Sequence, residues 1–583
     1  MLIEMDLPEG GFALESGERL KELVVAYETF GRAAETGDNA VCVCHALTGD
    51  AHVANCGSND TDVPGWWDGM IGPGKGIDTN YYFVVCSNVL GGCAGTTGPS
   101  SINPDTGRPY GSSFPETSVT DMVRVQKLLM DRLGIRRLAA VIGGSFGGMQ
   151  ALEWSILYPE MVDRCICIAT GASLSSQALA FDAVARDAIV SDPGWNGGDY
   201  YDGSAKPSWG LAHARKIGHI TYLSPEIMQD RFGRQKEKRQ YDKQIARHRF
   251  EVENYLEHQG RKLVNRFDAN SYLRITEAMD AYDLVERFDT LAEAFSKTRS
   301  RYLVVALSSD WLFPPEQSVE LANGILRAGK SVSYCTLHSP HGHDTFLVDV
   351  RHLNRLIRAF LPWVAGGLKN DEMTSEDEPA REYEIIAEMI PESSKVLDLG
   401  CGDGTLLSYL KKRKCASGTG ADIDLDNIIK AINRGHDVFH GDIDSGLAVI
   451  PDASCDAAVL SNTLQALRNP ALVLSEMLRA ARKGIVSFPN FGKWPYRIRF
   501  ALRGRIPVNH GLKCKWHDSP DSSPFTLRDF IDLCRETNIE ITEMVSVPEG
   551  FISRILSRIG LRNLGADHII AAVRAEKNGN DKL

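Results

Sequence analysis

The first 365 residues alternate short apolar runs with Gly-rich turns and amphipathic helical segments. Four apolar runs show no alternation with polar residues, which is typical of strands that are covered on both faces. Buried strands separated by helices predict a doubly wound, mostly parallel α/β sheet. The four runs are Ala40–Cys44, Tyr82–Cys86, Leu138–Ile142 and Tyr302–Leu307.

Two stretches interrupt this pattern. Residues 175–295 are rich in Arg, Gln, Glu and Tyr and predict a helical insertion that forms a lid over the carboxyl edge of the sheet. Residues 366–379 are polar and acidic, so they could bury little surface and predict a linker. The pattern therefore predicts a first domain over residues 1–365 and a second α/β domain over residues 380–575.

Composition narrows the class of protein. The chain has 583 residues, 43% of them hydrophobic and 24% charged, which suits a soluble protein with at least two cores. A net charge of −12 argues against binding to nucleic acid or anionic lipid. No apolar run of about 18 residues and no signal-peptide order occur. The 13 cysteines lack zinc spacing, which favours reduced thiols in the cytoplasm and no metal site.

The motif Gly143–Gly148 carries the clearest chemistry. It reads GGSFGG, follows a predicted strand and precedes a predicted helix, as a nucleophile elbow does. The motif predicts Ser145 as the nucleophile and the Phe146 N–H as an oxyanion donor. The second donor normally comes from the loop after an earlier strand, where the Leu47 N–H is our candidate.

The partners of the serine should follow it as an acid and then a histidine. Asp310 lies just beyond a predicted strand, where the acid of a triad belongs. The loop after the next strand holds His338, His341 and His343. His343 follows a glycine and is the preferred base, with His341 as the alternative. These residues define acyl transfer through a serine ester and leave open whether water or an alcohol accepts the acyl group.

Several long motifs resemble the homoserine O-acyltransferase family. The similarity runs in order over about residues 5–363. Members have an α/β-hydrolase fold with a helical lid and usually form a homodimer. The motifs that carry the resemblance are His45–His52, Gly65–Asp68, Ile71–Lys75, Leu90–Pro104 and Gly342–Asp344.

The resemblance implies transfer of an acyl group from acyl-CoA to the hydroxyl of L-homoserine by a ping-pong route. It implies the same triad of Ser145, Asp310 and His343. It also implies that Arg215, in the lid, binds the substrate carboxylate and that Asp344 binds the ammonium group. A planar guanidinium suits a carboxylate.

Two details concern the acyl donor. The stretch Gly95–Gly98 is more like that of acetyl-transferring members, so we predict acetyl-CoA, with succinyl-CoA as the alternative. Phe146 stands where many relatives carry Met or Leu. Since only its backbone N–H is needed, this departure bears on the acyl pocket and not on catalysis.

The second region begins with the strand Lys395–Leu399 and a Gly-rich turn that resembles the cofactor loop of class I S-adenosylmethionine methyltransferases. Glycines let the backbone approach the ligand. A carboxylate at the end of the next strand can accept from ribose hydroxyls, and a third lies near the expected adenine. The predicted cofactor-binding residues are Asp398, Gly400, Gly402, Gly404, Asp422 and Asp442.

The stretches Leu460–Leu467 and Ile485–Trp494 resemble the MetW family, methyltransferase-like proteins of methionine biosynthesis, over about residues 380–572. The later motif Trp516–Pro520 is followed by Asp521–Ser523, where the family commonly has Asn and His. We predict a supporting or regulatory module that binds S-adenosylmethionine or no cofactor, with an active methyltransferase as the alternative.

Overall fold

The structure is a computed structural model that describes residues 1–55, 64–242, 247–362, 381–504 and 523–576. The chain divides into two compact units, Met1–Asn370 and Asp371–Leu583. The predicted linker over residues 366–379 lies outside the described residues, as does the motif Trp516–Pro520.

The main sheet of the first unit has the strand order β1-β4-β6-β5-β9-β10-β13-β14. Its strands from β6 to β14 are parallel, and β4 and β1 are antiparallel additions at one edge. The strands of this unit are β1 Leu2–Glu4, β2 Phe12–Ala13, β3 Arg19–Leu20, β4 Val24–Phe30, β5 Ala40–Cys44, β6 Phe83–Ser87, β7 Ile102–Asn103, β8 Arg108–Pro109, β9 Leu138–Gly144, β10 Arg164–Ile168, β11 Lys236–Asp242, β12 Arg247–Phe250, β13 Arg301–Leu307 and β14 Val332–Leu337.

The four predicted strands correspond to β5, β6, β9 and β13. Every residue of β5 and β9 is buried, as expected for apolar runs without alternation. β9 continues to Gly144 and so delivers the chain directly to Ser145. The helices of this unit are α1 Val119–Arg132, α2 Phe146–Leu157, α3 Ser176–Val190, α4 Ser208–Tyr222, α5 Pro225–Phe232, α6 Glu251–Val264, α7 Ala269–Asp280, α8 Leu284–Phe288, α9 Leu291–Phe295, α10 Pro315–Arg327, α11 Thr345–Val348 and α12 Arg351–Phe360.

The region between β10 and β13 is mainly helical, and it also contains the hairpin of β11 and β12. Side-chain caps begin two of its helices: Ser175 accepts from the N–H of Ala178 in α3, and Asp268 accepts from that of Ser271 in α7. α4 packs between α3 and α6, and α3 also contacts α7. Residues of α3, α4 and α7 line the cavity described below.

The second unit has the strand order β17-β16-β15-β18-β19-β21-β20. The first five strands in this order are parallel, and β21 and β20 are antiparallel. The order reverses between β15 and β18, which is the switch point where open α/β sheets bind ligands. The strands are β15 Lys395–Leu399, β16 Ser417–Asp422, β17 Asp437–His440, β18 Cys455–Ser461, β19 Ala481–Pro489, β20 Ile539–Val547 and β21 His568–Ala575.

Helices cover the second sheet, and the core includes Ile386, Val396, Leu410, Val459 and Ile570. The helices are α13 Arg381–Glu388, α14 Thr405–Lys414, α15 Leu425–Asn433, α16 Pro470–Ala480, α17 Trp494–Arg503, α18 Leu527–Glu536, α19 Phe551–Arg558 and α20 Arg562–Gly565. Across the described parts of both units, no helix combines the length and the apolar character needed to span a bilayer.

Candidate active site

Ser145 occupies a sharp turn between β9 and α2. Its backbone has φ 57° and ψ −126°, an unfavourable region for a residue with a side chain. Such strain costs about 1–3 kcal/mol and persists where the surroundings fix the conformation. Here the Ser145 N–H donates to the Ile168 carbonyl at 2.9 Å, and the residue is only 6% exposed.

Two glycines permit the close approach that this turn requires. A Cβ on Gly143 would lie 2.1 Å from the carbonyl oxygen of Gly147. A Cβ on Gly147 would in turn lie 2.2 Å from the carbonyl oxygen of Cys44, at the end of β5. These contacts are with backbone atoms, which cannot move aside, so both positions need glycine.

His343 and Asp310 form a buried pair at the ends of β14 and β13. His343 Nδ1 lies 2.6 Å from Asp310 Oδ2, and their side chains are 4% and 0% exposed. Asp310 Oδ1 accepts from the N–H groups of Leu312 and Phe313, both at 3.0 Å. The Phe313 ring stacks on the imidazole at a centroid distance of 5.4 Å. The acid and the base are therefore fixed in orientation, and this bond joins Asp310 to His343 instead of His341.

The electrostatics of His343 suit a general base. Burial lowers its pKa, but the Asp310 carboxylate raises it by charge and hydrogen bonding, with a further contribution from Asp344, so that the net shift is upward. Donation from Nδ1 to Asp310 leaves Nε2 as the proton acceptor. The arrangement stabilises the imidazolium that forms when the base takes a proton.

Two hydrogen bonds anchor the loop after β5 at its first residue, His45. His45 Nε2 accepts from the Val89 N–H at 3.1 Å, and the Gln150 side chain donates to the His45 carbonyl at 3.1 Å. Within the described residues, no acceptor takes the Leu47 N–H. Phe146 begins α2, where N–H groups lack intrahelical partners. Both predicted oxyanion donors thus belong to segments fixed close to Ser145.

A cavity of about 40 Å³ opens beside Ser145 and Leu47. Most of its lining is apolar, and the exceptions include Asp182, Tyr222 and Tyr272. The apolar lining residues are Leu174, Ala178, Phe181, Ala185, Ile217, Met279, Leu312 and Phe313. Ligand sites commonly combine an apolar lining with a few polar groups of this kind.

Two lid arginines converge on Thr48, next to Leu47. Arg215 Nη1 donates to Thr48 Oγ1 at 3.1 Å, and Arg266 Nη1 donates to the Thr48 carbonyl at 2.8 Å. The Arg215 guanidinium also lies 5.4 Å from the centre of the Tyr222 ring, which is 6.0 Å from the His343 ring. Arg215 therefore lies near His343, and its role as the ligand of the substrate carboxylate stays a prediction.

Asp344 follows the base directly along the chain. Burial raises its pKa, while the charges of His343 and Arg215 oppose that rise. The structure thus places a carboxyl group and a guanidinium close together. These two groups could pair with the ammonium and the carboxylate of an amino acid substrate.

Sequence reasoning missed Arg266, Asp182, Tyr222 and Tyr272. They lie on separate lid helices or on the segment between them, far apart in the chain, and no local motif connects them to Ser145. The sequence indicated these residues only as members of the predicted lid.

The Gly-rich turn of the second unit follows β15 at the switch point of the sheet. Gly400, Gly402 and Gly404 have φ values of 75°, 54° and 79°. Asp398, in β15, is 1% exposed, and its Oδ1 has no hydrogen-bond partner among the described residues. Burial, followed by the charges of Asp422 and Glu382, raises the pKa of Asp398 to about 7.

The other predicted carboxylates accept from backbone N–H groups, Asp422 at this turn and Asp442 in the segment after β17. Asp422 Oδ2 accepts from the Gly402 N–H at 2.8 Å and its Oδ1 accepts from the Asp424 N–H at 2.8 Å. Asp442 Oδ1 accepts from the Asp444 N–H at 2.9 Å. Asp422 thereby ties the end of β16 to the turn after β15.

Glu382, on α13, was not predicted. Its carboxylate accepts from Ser461 Oγ at 2.8 Å and from Asn462 Nδ2 at 2.9 Å, at the end of β18, and also from Ser487 Oγ. His568 Nε2 lies 3.6 Å away. Burial by itself raises the pKa of Glu382. The hydrogen bonding and charge of His568, together with hydrogen bonds from the serine hydroxyls, lower it to about 2.

Family models match both units. The model described as alpha/beta hydrolase fold matches residues 39–350. The model described as methionine biosynthesis protein MetW matches residues 380–567.

One named relative matches most of the chain and another matches about three fifths of it. The bifunctional methionine biosynthesis protein MetXA/MetW of Rhodopirellula baltica is 43% identical over 548 residues, covering 91% of this chain and 87% of that protein. The homoserine O-acetyltransferase of Carboxydothermus hydrogenoformans is 50% identical over 355 residues, covering 60% of this chain and 93% of that protein.

Solved structures resemble the first unit. The homoserine O-acetyltransferase of Bacillus anthracis aligns with a TM-score of 0.57 and 27% identity, covering 63% of this chain and 100% of that chain. An esterase aligns with a TM-score of 0.57 and 28% identity, covering 62% of this chain and 100% of that chain. Since one relative spans both units, the chain belongs to the family of bifunctional MetXA/MetW proteins, in which a homoserine O-acetyltransferase of the α/β-hydrolase fold is joined to a MetW domain.

Proposed function

We propose that this chain transfers the acetyl group of acetyl-CoA to the hydroxyl of L-homoserine, through an ester on Ser145, in methionine biosynthesis. The observation that carries the proposal is the buried His343–Asp310 pair beside a cavity that Ser145 lines. Ser145 itself lies on the strained turn of a nucleophile elbow. The relatives named homoserine O-acetyltransferase supply the acceptor and the donor.

In the first half-reaction, His343 Nε2 takes the Ser145 proton and Ser145 Oγ attacks the thioester carbonyl. The Leu47 and Phe146 N–H groups stabilise the oxyanion. The carbon–sulfur bond then breaks, His343 returns the proton to the leaving sulfur, and CoA departs as the free thiol. Ser145 is left as an acetyl ester.

In the second half-reaction, His343 takes the proton of the homoserine hydroxyl, whose oxygen attacks the acetyl ester. Arg215 binds the carboxylate of homoserine and Asp344 its ammonium group, which orients the hydroxyl. Collapse of the intermediate returns the proton to Ser145 and releases O-acetyl-L-homoserine.

An esterase among the structural neighbours makes hydrolysis the rival activity. The two differ in what accepts the acetyl group. The test is thiol release from acetyl-CoA and from succinyl-CoA by the whole chain, with and without L-homoserine. Homoserine-dependent release from acetyl-CoA is expected. Release that is indifferent to homoserine would contradict the acceptor, and a preference for succinyl-CoA would contradict the donor.

The second unit is proposed to bind S-adenosylmethionine and to support or regulate the first. The fit rests on Asp398 Oδ1, which has no hydrogen-bond partner in the described part of the chain and is buried at the switch point next to three glycines with positive φ. Asp398 would accept from donors of the cofactor and Asp422 from its ribose hydroxyls, while Asp442 would lie near the adenine. When bound, the cofactor supplies a methyl group on a positively charged sulfonium, which suits a site rich in carboxylates.

Calorimetric titration of the whole chain with S-adenosylmethionine tests this second proposal. Heat of binding that disappears in Asp398→Ala would support it, and the absence of binding would reject it. A methyltransferase activity would additionally require a methyl acceptor. We further propose that the chain is cytoplasmic, takes small-molecule substrates and forms a homodimer. Light scattering of the purified chain would check the homodimer.

A further inference from the structure

We infer that Asp182 selects the acyl donor: its carboxylate, on the wall of the cavity that contains Ser145, excludes acyl groups that themselves end in a carboxylate. The inference rests on the proposed acyl transfer and adds a specificity-determining residue to it. The excluded class is the dicarboxylic acyl-CoA esters, of which succinyl-CoA is the simplest.

The position of Asp182 puts it within reach of the acyl group. It lies on α3 of the lid, between Ala178 and Ala185, and all three line the same cavity as Ser145. The cavity of about 40 Å³ is too small to keep a second carboxylate away from this wall in a shell of water, since one water needs roughly 10–15 Å³. An acetyl group ends in a methyl, which the apolar remainder of the lining accommodates.

The charge near Asp182 is not balanced. Asp280 of α7 is its electrostatic neighbour, and Arg186 is the cation that acts on Asp182 among the residues that the structure describes. Arg186 Nη2 already donates to Asp280 Oδ2 at 2.5 Å. Two carboxyl groups therefore share one guanidinium, and a succinyl group would bring a third carboxyl group to the same place.

The surroundings of Asp182 already disfavour negative charge at this wall. Burial, followed by the charge and hydrogen bonding of Asp280, raises the pKa of Asp182 to about 7 against the opposing charge of Arg186. Above that pH the group is ionised and repels an incoming anion. A further unpaired carboxylate in this partly buried site would be strongly disfavoured.

The experiment compares kcat/KM for acetyl-CoA and succinyl-CoA at pH 8, with L-homoserine as acceptor, in the wild-type chain and in Asp182→Asn. The substitution keeps the size of the side chain and removes its charge. We expect kcat/KM for succinyl-CoA to rise more than about 10-fold, because close like charges cost several kcal/mol, and that for acetyl-CoA to stay within about twofold. Asp187→Asn, on the exposed face of the same helix, is the matched control and should leave both unchanged.

A second measurement needs no variant. The terminal amide of succinyl-CoA has the size of succinyl-CoA without its charge, so the wild-type chain should prefer the amide by more than about 10-fold. Equal rejection of both would mean that size alone excludes them and would overturn the inference. An Asp182→Asn variant that changes only the KM for homoserine would overturn it too, since Asp182 would then bind the ammonium group. If the wild-type chain released no thiol in response to homoserine, the proposed function would fail before the role of Asp182 was reached.

Discussion

His343 Nδ1 and Asp310 Oδ2 lie 2.6 Å apart, and the Asp310 side chain is wholly excluded from solvent. The other oxygen of Asp310 is occupied by two backbone N–H groups, so the carboxylate cannot turn away from the imidazole. The orientation of the base is therefore set by this one acid.

Asp310→Asn is expected to reduce kcat by about 10³–10⁴-fold, since an amide would favour the wrong tautomer of His343. The measurement is the steady-state rate of homoserine-dependent thiol release. Asp289→Asn is the control, because Asp289 is exposed and has a positive φ that Asn tolerates. Retention of more than about a tenth of the activity would contradict the role of Asp310.

Ser145→Ala should abolish acetylation of the protein. Without Oγ, no ester can form, and mass spectrometry after a brief exposure to acetyl-CoA should find no chain heavier by one acetyl group. Ser176→Ala, which removes an exposed hydroxyl from the first turn of α3, should acetylate as the wild type does. An acetyl group found in Ser145→Ala would mean that another residue is the nucleophile.

The preference for acetyl-CoA should weaken as the pH falls through about 7. The pKa of Asp182 is raised to about 7, so below that pH the group is protonated and no longer repels a carboxylate. The groups that act on it are Asp280 and Arg186, with Tyr222 and Tyr272 also in the cavity wall. The ratio of kcat/KM for the two donors should be smaller at pH 6 than at pH 8 in the wild type and constant in Asp182→Asn.

Asp398→Asn should stabilise the second unit at pH 8 while weakening any binding of S-adenosylmethionine. Since the folded pKa is about 7, above the ordinary value of 3.8, ionisation of this group costs stability that grows as the pH rises between these two values. Removing the charge should recover about 1–3 kcal/mol in thermal or denaturant unfolding. Asp532→Asn, in an exposed i,i+3 pair, is the matched control. A lower stability of Asp398→Asn than of the wild type at pH 8 would contradict this prediction.

Glu382→Gln should destabilise the second unit by about 1–3 kcal/mol, because it removes a charge that several buried donors share. The pKa of Glu382 is lowered to about 2, so its contribution is present above the ordinary value of 4.5 and is lost as the pH falls towards 2. Unfolding midpoints measured between pH 7 and pH 3 should therefore converge for the wild type and the variant. A constant difference would mean that packing, not charge, is responsible.

Local patterns in the sequence predicted much of the fold. The continuous apolar runs predicted β5 and β9, and the Gly-rich turns predicted where each sheet presents its loops. The chain order of Ser145, Asp310 and His343 suggested how they would meet, because the carboxyl ends of parallel strands share one edge. The structure selects His343 over His341 through a single hydrogen bond, which no spacing in the sequence distinguishes.

The lid and the Glu382 cluster could not be derived in this way. Asp182 and Asp280 are brought together by the packing of α3 on α7, and Glu382 meets Ser487 across more than a hundred residues of chain. Such contacts depend on helix orientation, which amphipathic pattern alone leaves free. Arg215 came from the family resemblance; from its own helix it resembled an ordinary solvated arginine.

Two arginines of the lid, Arg215 and Arg266, tie the lid to the loop after β5 through Thr48. Arg215 donates to the hydroxyl of Thr48 and Arg266 donates to its carbonyl, and the neighbouring residue, Leu47, is the proposed oxyanion donor. A substrate carboxylate that draws Arg215 away from Thr48 would release one of these two tethers. Under the proposed mechanism, arrival of the second substrate would therefore change the tethering of the residue next to the proposed oxyanion donor, and deacylation would then favour this acceptor over water.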